Sequence, residues 1–348
     1  LTLSILANLI VLGVFKYFNF FASELSAVFG IELSNSLTSI ILPVGLSFYI
    51  FQSLTYVIDI YNKKMKPEKR VLHYFTYIAF FPQLVAGPIE RASSLLPQFS
   101  RVTTLKFDNI FLGTKLVIVG LFLKLVVADN LAPSVDFYFA NYAQLKGGDL
   151  FLGALYFSIQ IYGDFCGYSL IAIGVAKIIG FSLMVNFQTP YFSTSIQEFW
   201  RRWHISLSTF FRDYVYIPLG GSKKGELNTS KNIFYTFTLS GLWHGANWTF
   251  IAWGFLHGVL LVVQRLFNYQ RLFNYSVPKP IKTLFSWFFT MAFIMLLWIF
   301  FRSSSISDAV NYITIMVSSP DIPSLDGNLG GLIYCGYYLI VDLYLNRS

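Results

Sequence analysis

Apolar residues dominate six stretches of the chain, 1–20, 37–61, 109–132, 150–182, 283–301 and 329–346, and most charged residues fall in the intervals between them. A helix of about 20 apolar residues crosses a hydrocarbon core of about 30 Å, so each stretch predicts a membrane-spanning helix. Two further stretches break that rule. Residues 71–90 contain "FFPQLVAGPIE", whose Pro82 and Pro88 interrupt a helix. Residues 231–267 are too long for one simple crossing, and Gly241, Gly245 and Gly254 punctuate them.

The polar intervals predict a topology, because Lys and Arg accumulate on the cytoplasmic side of a membrane protein. The loop "NKKMKPEKR" at 62–70 is strongly basic, and so is the next one, with Arg91, Arg101 and Lys106. Segment 71–90 is therefore expected to enter and leave on one face as a re-entrant hairpin, which survives only where protein or water shields its broken backbone. Loops 133–149 and 302–328 are expected outside, the first carrying Asp136 and Asp149 against Lys146, the second Asp308, Asp321 and Asp326 against Arg302. Residues 183–230, with Lys223 and Lys224, and the loop holding Arg265, Arg271, Lys279 and Lys282 are expected inside. Residues 231–267 would then dip into the membrane and return. The tandem "QRLFNYQRLFNY" at 264–275 has only two copies, too few for a solenoid, and reads as a lengthened helix end or loop.

Composition agrees with the pattern. Of 348 residues 55% are hydrophobic, 19% aromatic and 12% charged, where a soluble domain carries about 25% charged residues; mean hydropathy is +0.58. The chain is read as an all-α integral membrane protein, multi-spanning and built as a single membrane-embedded domain over 1–348. The net charge of +8 belongs to loops facing anionic lipid or phosphate-bearing ligands, not nucleic acid, since no hydrophilic domain carries it. Cys166 and Cys335 lie in apolar runs and read as buried thiols. The chain opens "LTLSILANLI", without the charged segment and cleavage site of a signal peptide, and stops after "LYLNRS". A fragment truncated at one or both ends is expected.

Chemistry concentrates in 199–267. The stretch "FWRRWHISLSTFFRDYVYIPLGG" at 199–221 gathers Arg201, Arg202, His204, Arg212 and Asp213 among Trp200, Trp203 and Phe211. It reads either as an amphipathic interfacial helix with arginines on headgroups or as the wall of a site. Glu198 reaches Arg201 and Arg202 at helical spacing. Of the four histidines, His73 reads as interfacial and His257 as a packing residue. His244, in "LSGLWHGANWTFIAWGFLHG", lies within an apolar segment, and helical spacing puts Asn247 and Trp248 on its own face. It is either a site residue or a helix-to-helix contact. No phosphate loop, paired-carboxylate motif, nucleophile elbow or metal-ligand cluster is present, so acid–base work by histidine remains.

These two stretches, with "ILPVGLSFYIFQSLTYVIDIY" and "FFPQLVAGPIERASSLLPQF", resemble the membrane-bound O-acyltransferases over about residues 37 to 300, and within them the bacterial branch that acetylates alginate. The resemblance implies a helical bundle with re-entrant segments and a central acyl-transfer tunnel. It places the family's nearly invariant histidine at His244 and its second polar position at His204, with Asn247 and Trp243 in support. It implies no bound cofactor, acetyl-CoA as the donor, and Arg201, Arg202 and Arg212 at the donor's entrance. The acceptor would be an extracytoplasmic polysaccharide, reached through periplasmic partner proteins, and the location the bacterial inner membrane. Two alternatives stay open: D-alanyl or other acyl transfer from a carrier-protein thioester, and a transporter or export channel whose histidines relay protons.

Overall fold

In a computed structural model of the chain, residues 1–30, 41, 43, 45–84, 87–101, 104–267, 278–323 and 330–347 are described. Their regular structure is helical, with no strand among them. Five helices are long and apolar enough to cross a membrane: α1 (Thr2–Phe29), α5 (Phe107–Ala140), α6 (Gly147–Ile178), α10 (Trp248–Phe267) and α11 (Lys279–Arg302). Between them lie α2 (Leu46–Tyr61), α3 (Val71–Ile78), α4 (Ala92–Phe99), the short α7 (Ile196–Arg202) and α8 (Ile205–Phe211), and α9 (Gly225–His244). Helices α12 (Ile306–Ser318) and α13 (Gly331–Arg347) complete the order. The repeat at 264–275 lies outside the described residues beyond Phe267, as do Arg271 and Asp326.

The chain divides into two compact units, residues 1–117 with 169–184 and residues 118–168 with 185–348. The first is built around Tyr77, Phe80, Leu95, Leu96, Ala172 and Ala176. Here α5 and α6 run close enough that a Cβ added to Gly113 would lie 2.6 Å from the Gly174 carbonyl oxygen, the small-residue packing that lets membrane helices approach. The prolines break segment 71–90 as expected: α3 stops at Ile78, a single 3₁₀ turn covers Phe81–Gln83, and α4 begins only at Ala92.

The second unit holds an aromatic core of Trp203, Trp253, Trp298, Tyr162 and Phe199. Its α5 portion outruns the predicted 109–132 and passes through Pro133 to Ala140. A π-helical turn precedes the proline at Phe122–Ala128, and Asn130 Nδ2 donates to the carbonyls of Leu125 and Val126 within it, both at 2.9 Å. Side-chain donors of this kind satisfy carbonyls that an irregular turn frees inside a membrane helix. The expected outer loop 133–149 is therefore partly helical.

Residues 225–267 form a tight hairpin, whose second arm α10 is by itself long and apolar enough to cross a membrane, where the sequence had the whole segment dip and return. A Cβ on Gly241 would fall on the Phe250 carbonyl and 3.0 Å from Gly254 Cα, so only glycine permits α9 and α10 to come this close. At the hairpin's open end Arg265 grips Glu226 with two hydrogen bonds of 2.7 and 3.0 Å.

Candidate active site

The arginine–tryptophan stretch at 199–221 is not one interfacial helix. Helix α7 begins with Ser195 Oγ accepting the Glu198 N–H at 3.1 Å, while Glu198 reaches back to the N–H and hydroxyl of Thr194 at 2.8 and 3.0 Å. That reciprocal cap fixes where the helix starts. After seven residues it ends: Trp203 turns extended, and His204 adopts the left-handed conformation with φ +43° ahead of α8. Such backbone costs about 1–2 kcal/mol for an L-residue and persists only where surroundings enforce it. Trp200, Trp203, Phe199 and Phe211 are all buried inside the protein, so the interfacial-helix alternative fails for its aromatic residues.

Asn186 does the enforcing. It is fully buried, and its Oδ1 accepts from the Ser206 N–H at 3.1 Å and hydroxyl at 2.9 Å. The same oxygen lies 3.2 Å from His204 Nδ1. An oxygen that already accepts from a backbone N–H can only accept from the ring as well, so His204 carries its proton on Nδ1 and presents the Nε2 lone pair. Burial first, and neighbouring His244 second, push the His204 pKa well below the usual imidazole range, so the ring is neutral. Sequence reasoning missed Asn186, which stands in an unremarkable extended run with no motif to mark it.

His244 is the last residue of α9 and is half-buried. Its ring stands among Trp243, Trp253 and Phe301 at centroid distances of 5.0, 5.0 and 5.2 Å. Trp243 also faces His204 at 6.3 Å, so the two histidines share one aromatic wall. Asn247 corrects the sequence expectation. The helix does not continue through it; Asn247 Oδ1 instead caps α10 by accepting the Thr249 N–H at 3.0 Å, and its Nδ2 donates to the Ser304 carbonyl at 3.1 Å. It shapes the turn behind His244 and does not share the histidine's face. Trp248 begins the next helix and is largely exposed.

Two cavities flank this wall. The larger, ≈ 560 Å³, is lined by Arg201, Arg212 and Arg265 together with Trp200, Phe237 and Ser240. Arg212 is paired with Asp213 at 2.8 Å. Arg202 is not in the lining; it pairs with Glu198 at 2.7 Å and donates to Thr189 Oγ1 at 3.4 Å. Arg265, brought back along the hairpin, lines the cleft where the resemblance implied Arg202. The second cavity, ≈ 360 Å³, is lined by Gln160, Asp164, Asn247, Thr249, Phe301 and Arg302. Gln160 Oε1 and Thr249 Oγ1 are buried there without a hydrogen-bond partner among the described residues, while Lys124 holds Asp164 at 2.6 Å. Phe301, in the second cavity's wall, packs on His244, and Trp253 joins His244 to Trp200 in the first. His244 itself lines neither cavity: Phe301 alone stands between it and the second, Trp253 and Trp200 between it and the first.

The chain matches the family model of the membrane-bound O-acyltransferases over residues 69–306. It is 42% identical over 324 residues to a probable alginate O-acetylase of Azotobacter vinelandii, covering 92% of this chain and 63% of that protein. Identity is 36% over 374 residues to a peptidoglycan O-acetyltransferase of Helicobacter pylori, covering 100% and 68%. A teichoic acid D-alanyltransferase of Streptococcus thermophilus is 28% identical over 243 residues, covering 66% and 58%. The chain spans about two thirds of the length of the curated relatives it matches, 63% and 65% for two alginate O-acetylases. Several apolar spanning helices, two histidines on one buried wall and a match across most of its length agree: this multi-pass membrane protein belongs to the membrane-bound O-acyltransferase family.

Proposed function

We propose that the protein transfers an acetyl group from acetyl-CoA, entering from the cytoplasm, to a hydroxyl of an extracytoplasmic polysaccharide. The observation that carries this reading is the position of half-buried His244 between an arginine-lined cleft and a second cavity bearing unsatisfied oxygen acceptors. The relatives named for acetylation of alginate and of peptidoglycan support sugar hydroxyls as acceptors and acetyl as the group transferred. The more distant D-alanyl relative, at 28% identity, supports a carrier-protein thioester less well.

The chemistry follows from the two rings. The acceptor O–H approaches through the second cavity, where Gln160 Oε1 and Thr249 Oγ1 can take hydrogen bonds from neighbouring hydroxyls. His244 accepts the hydroxyl proton as the oxygen attacks the thioester carbonyl, forming the C–O bond and a tetrahedral oxyanion. The oxyanion collapses, the C–S bond breaks, and the imidazolium returns its proton to the departing thiolate. His204 stays neutral throughout, its Nε2 lone pair available to orient the neighbouring partner. Arg201, Arg212 and Arg265 supply fixed guanidinium donors for the phosphates of CoA, which no carboxylate-rich cleft would bind. In the cell we place the protein in the bacterial inner membrane, working with extracytoplasmic proteins that complete delivery to the polymer.

The test is acetyl-CoA consumption by membranes containing the protein, with acetyl content of the polysaccharide read in parallel. Consumption that requires the protein and disappears in His244→Ala is expected. Equal consumption with that variant removes the enzyme reading.

A further inference from the structure

His257 reads from sequence as a packing residue, and the structure gives it more to do. It is fully buried, and its Nδ1 accepts the indole N–H of Trp200 at 3.2 Å. In the neutral ring the proton then lies on Nε2, which is buried without a hydrogen-bond partner among the described residues. A packing role alone would be served by an apolar ring or chain at lower cost, since an unpaired buried polar group loses its water without gaining a partner. What that cost maintains is the Trp200 bond. Trp200 lies in the wall of the arginine-lined cleft, next to Arg201 in the same helix and four residues before the left-handed turn at His204. The hydrogen bond therefore joins α7 to α10, the two elements whose arginines flank the cleft.

We propose that His257 is a positioning residue for the donor: through Trp200 it holds the cleft wall and Arg201 in register with Arg265. Nothing in the bond touches His244 directly. Trp253 stands between, its ring 4.8 Å from His257 and 5.0 Å from His244. Loss of the bond should thus loosen donor binding and leave the chemical step nearly intact. The inference rests on reading that cleft as the acetyl-CoA entrance.

Four variants in membranes, assayed with acetyl-CoA, test it. His257→Leu keeps bulk and removes the acceptor. His257→Asn keeps an oxygen near the Nδ1 position, and Trp200→Phe keeps the aromatic wall without its N–H. One net hydrogen bond corresponds to about three- to tenfold in an equilibrium, so His257→Leu and Trp200→Phe should each raise the Michaelis constant by about that factor with kcat within about twofold. His257→Asn should return it to within about twofold of wild type, and the Trp200→Phe/His257→Leu pair should be no worse than either alone. An unchanged Michaelis constant in His257→Leu, or additive effects in the pair, overturns the proposal. If His257→Leu does not accumulate in membranes, Trp200→Phe decides, and wild-type behaviour there overturns it equally. A wild-type chain that consumes no acetyl-CoA overturns the donor reading instead, a result distinct from an active enzyme indifferent to His257.

Discussion

His204 and His244 lie on one aromatic wall, yet they are held in opposite ways. His204 is 1% exposed, sits in strained left-handed backbone and has its tautomer fixed by Asn186. His244 ends a regular helix, is half-buried and is surrounded by the faces and edges of three aromatic rings. A proton-transfer base must meet its substrate and change charge during turnover, which a partly accessible imidazole can do. A sealed ring with a committed proton serves better as a fixed dipole. Under the proposed function chemistry therefore falls to His244 and orientation to His204, and replacing each residue can break that division.

The largest effect is expected at His244. Removing a general base costs about 10²- to 10⁴-fold in rate, so His244→Gln should lower kcat by that factor while the protein still reaches the membrane. A loss smaller than about tenfold would move the base elsewhere. His204→Ala should cost less, about ten- to hundredfold in kcat, the range of one strong hydrogen bond, with the donor's Michaelis constant unchanged. Asn186→Leu should imitate it, because the ring then loses the acceptor that sets its tautomer. If Asn186→Leu keeps full activity while His204→Ala does not, the tautomer argument fails and His204 acts by bulk alone.

The difference between the two histidines also shows what a sequence discloses. Membrane spans were legible because apolar length is a one-dimensional property, and α6 and α11 fall close to their expected places, whereas α10 is a span-length helix within a segment expected only to dip and return. The break at Trp203–His204 was not, since it contains neither Gly nor Pro and arises from Asn186, eighteen positions away, bonding Ser206 and His204 together. Asn247 was misplaced for a related reason. Helical spacing put it beside His244, but the helix stops there: Gly245 turns extended and lies so close to the Phe250 ring that any Cβ would overlap it. Two residues of the candidate site, His204 and His244, came from motif resemblance; the groups that hold them came only from three-dimensional contacts.

The arginines extend the comparison to the cleft. Arg201 and Arg212 line it, so replacing either with Gln should raise the Michaelis constant for acetyl-CoA several-fold, about 1 kcal/mol each, with kcat little changed. The increase should shrink at high salt, because exposed charges are screened beyond about 8–10 Å. Equal Michaelis constants at low salt would return these arginines to lipid headgroups.

Arg202 carries the smallest expected effect and sharpens the comparison most. It shares a motif with Arg201 but pairs with Glu198, both side chains about one-third exposed at 32% and 30%. An ion pair that open contributes at most about 1 kcal/mol. Arg202→Gln should leave the Michaelis constant within about twofold of wild type and lower thermal stability only slightly. The effect on stability should be pH-dependent. Partial burial opposes ionisation of Glu198, but Thr194 and then Arg202 outweigh it and hold the carboxyl below its ordinary value of 4.5. A depressed carboxylate stabilises the fold above its unfolded pKa and loses that contribution as pH falls through the folded one. The stability gap between wild type and Arg202→Gln should therefore be complete at pH 7 and close below pH 4.5. A gap that persists in acid, or a Michaelis constant that rises as far as in Arg201→Gln, would show that Arg202 works with the cleft and not with the cap of α7.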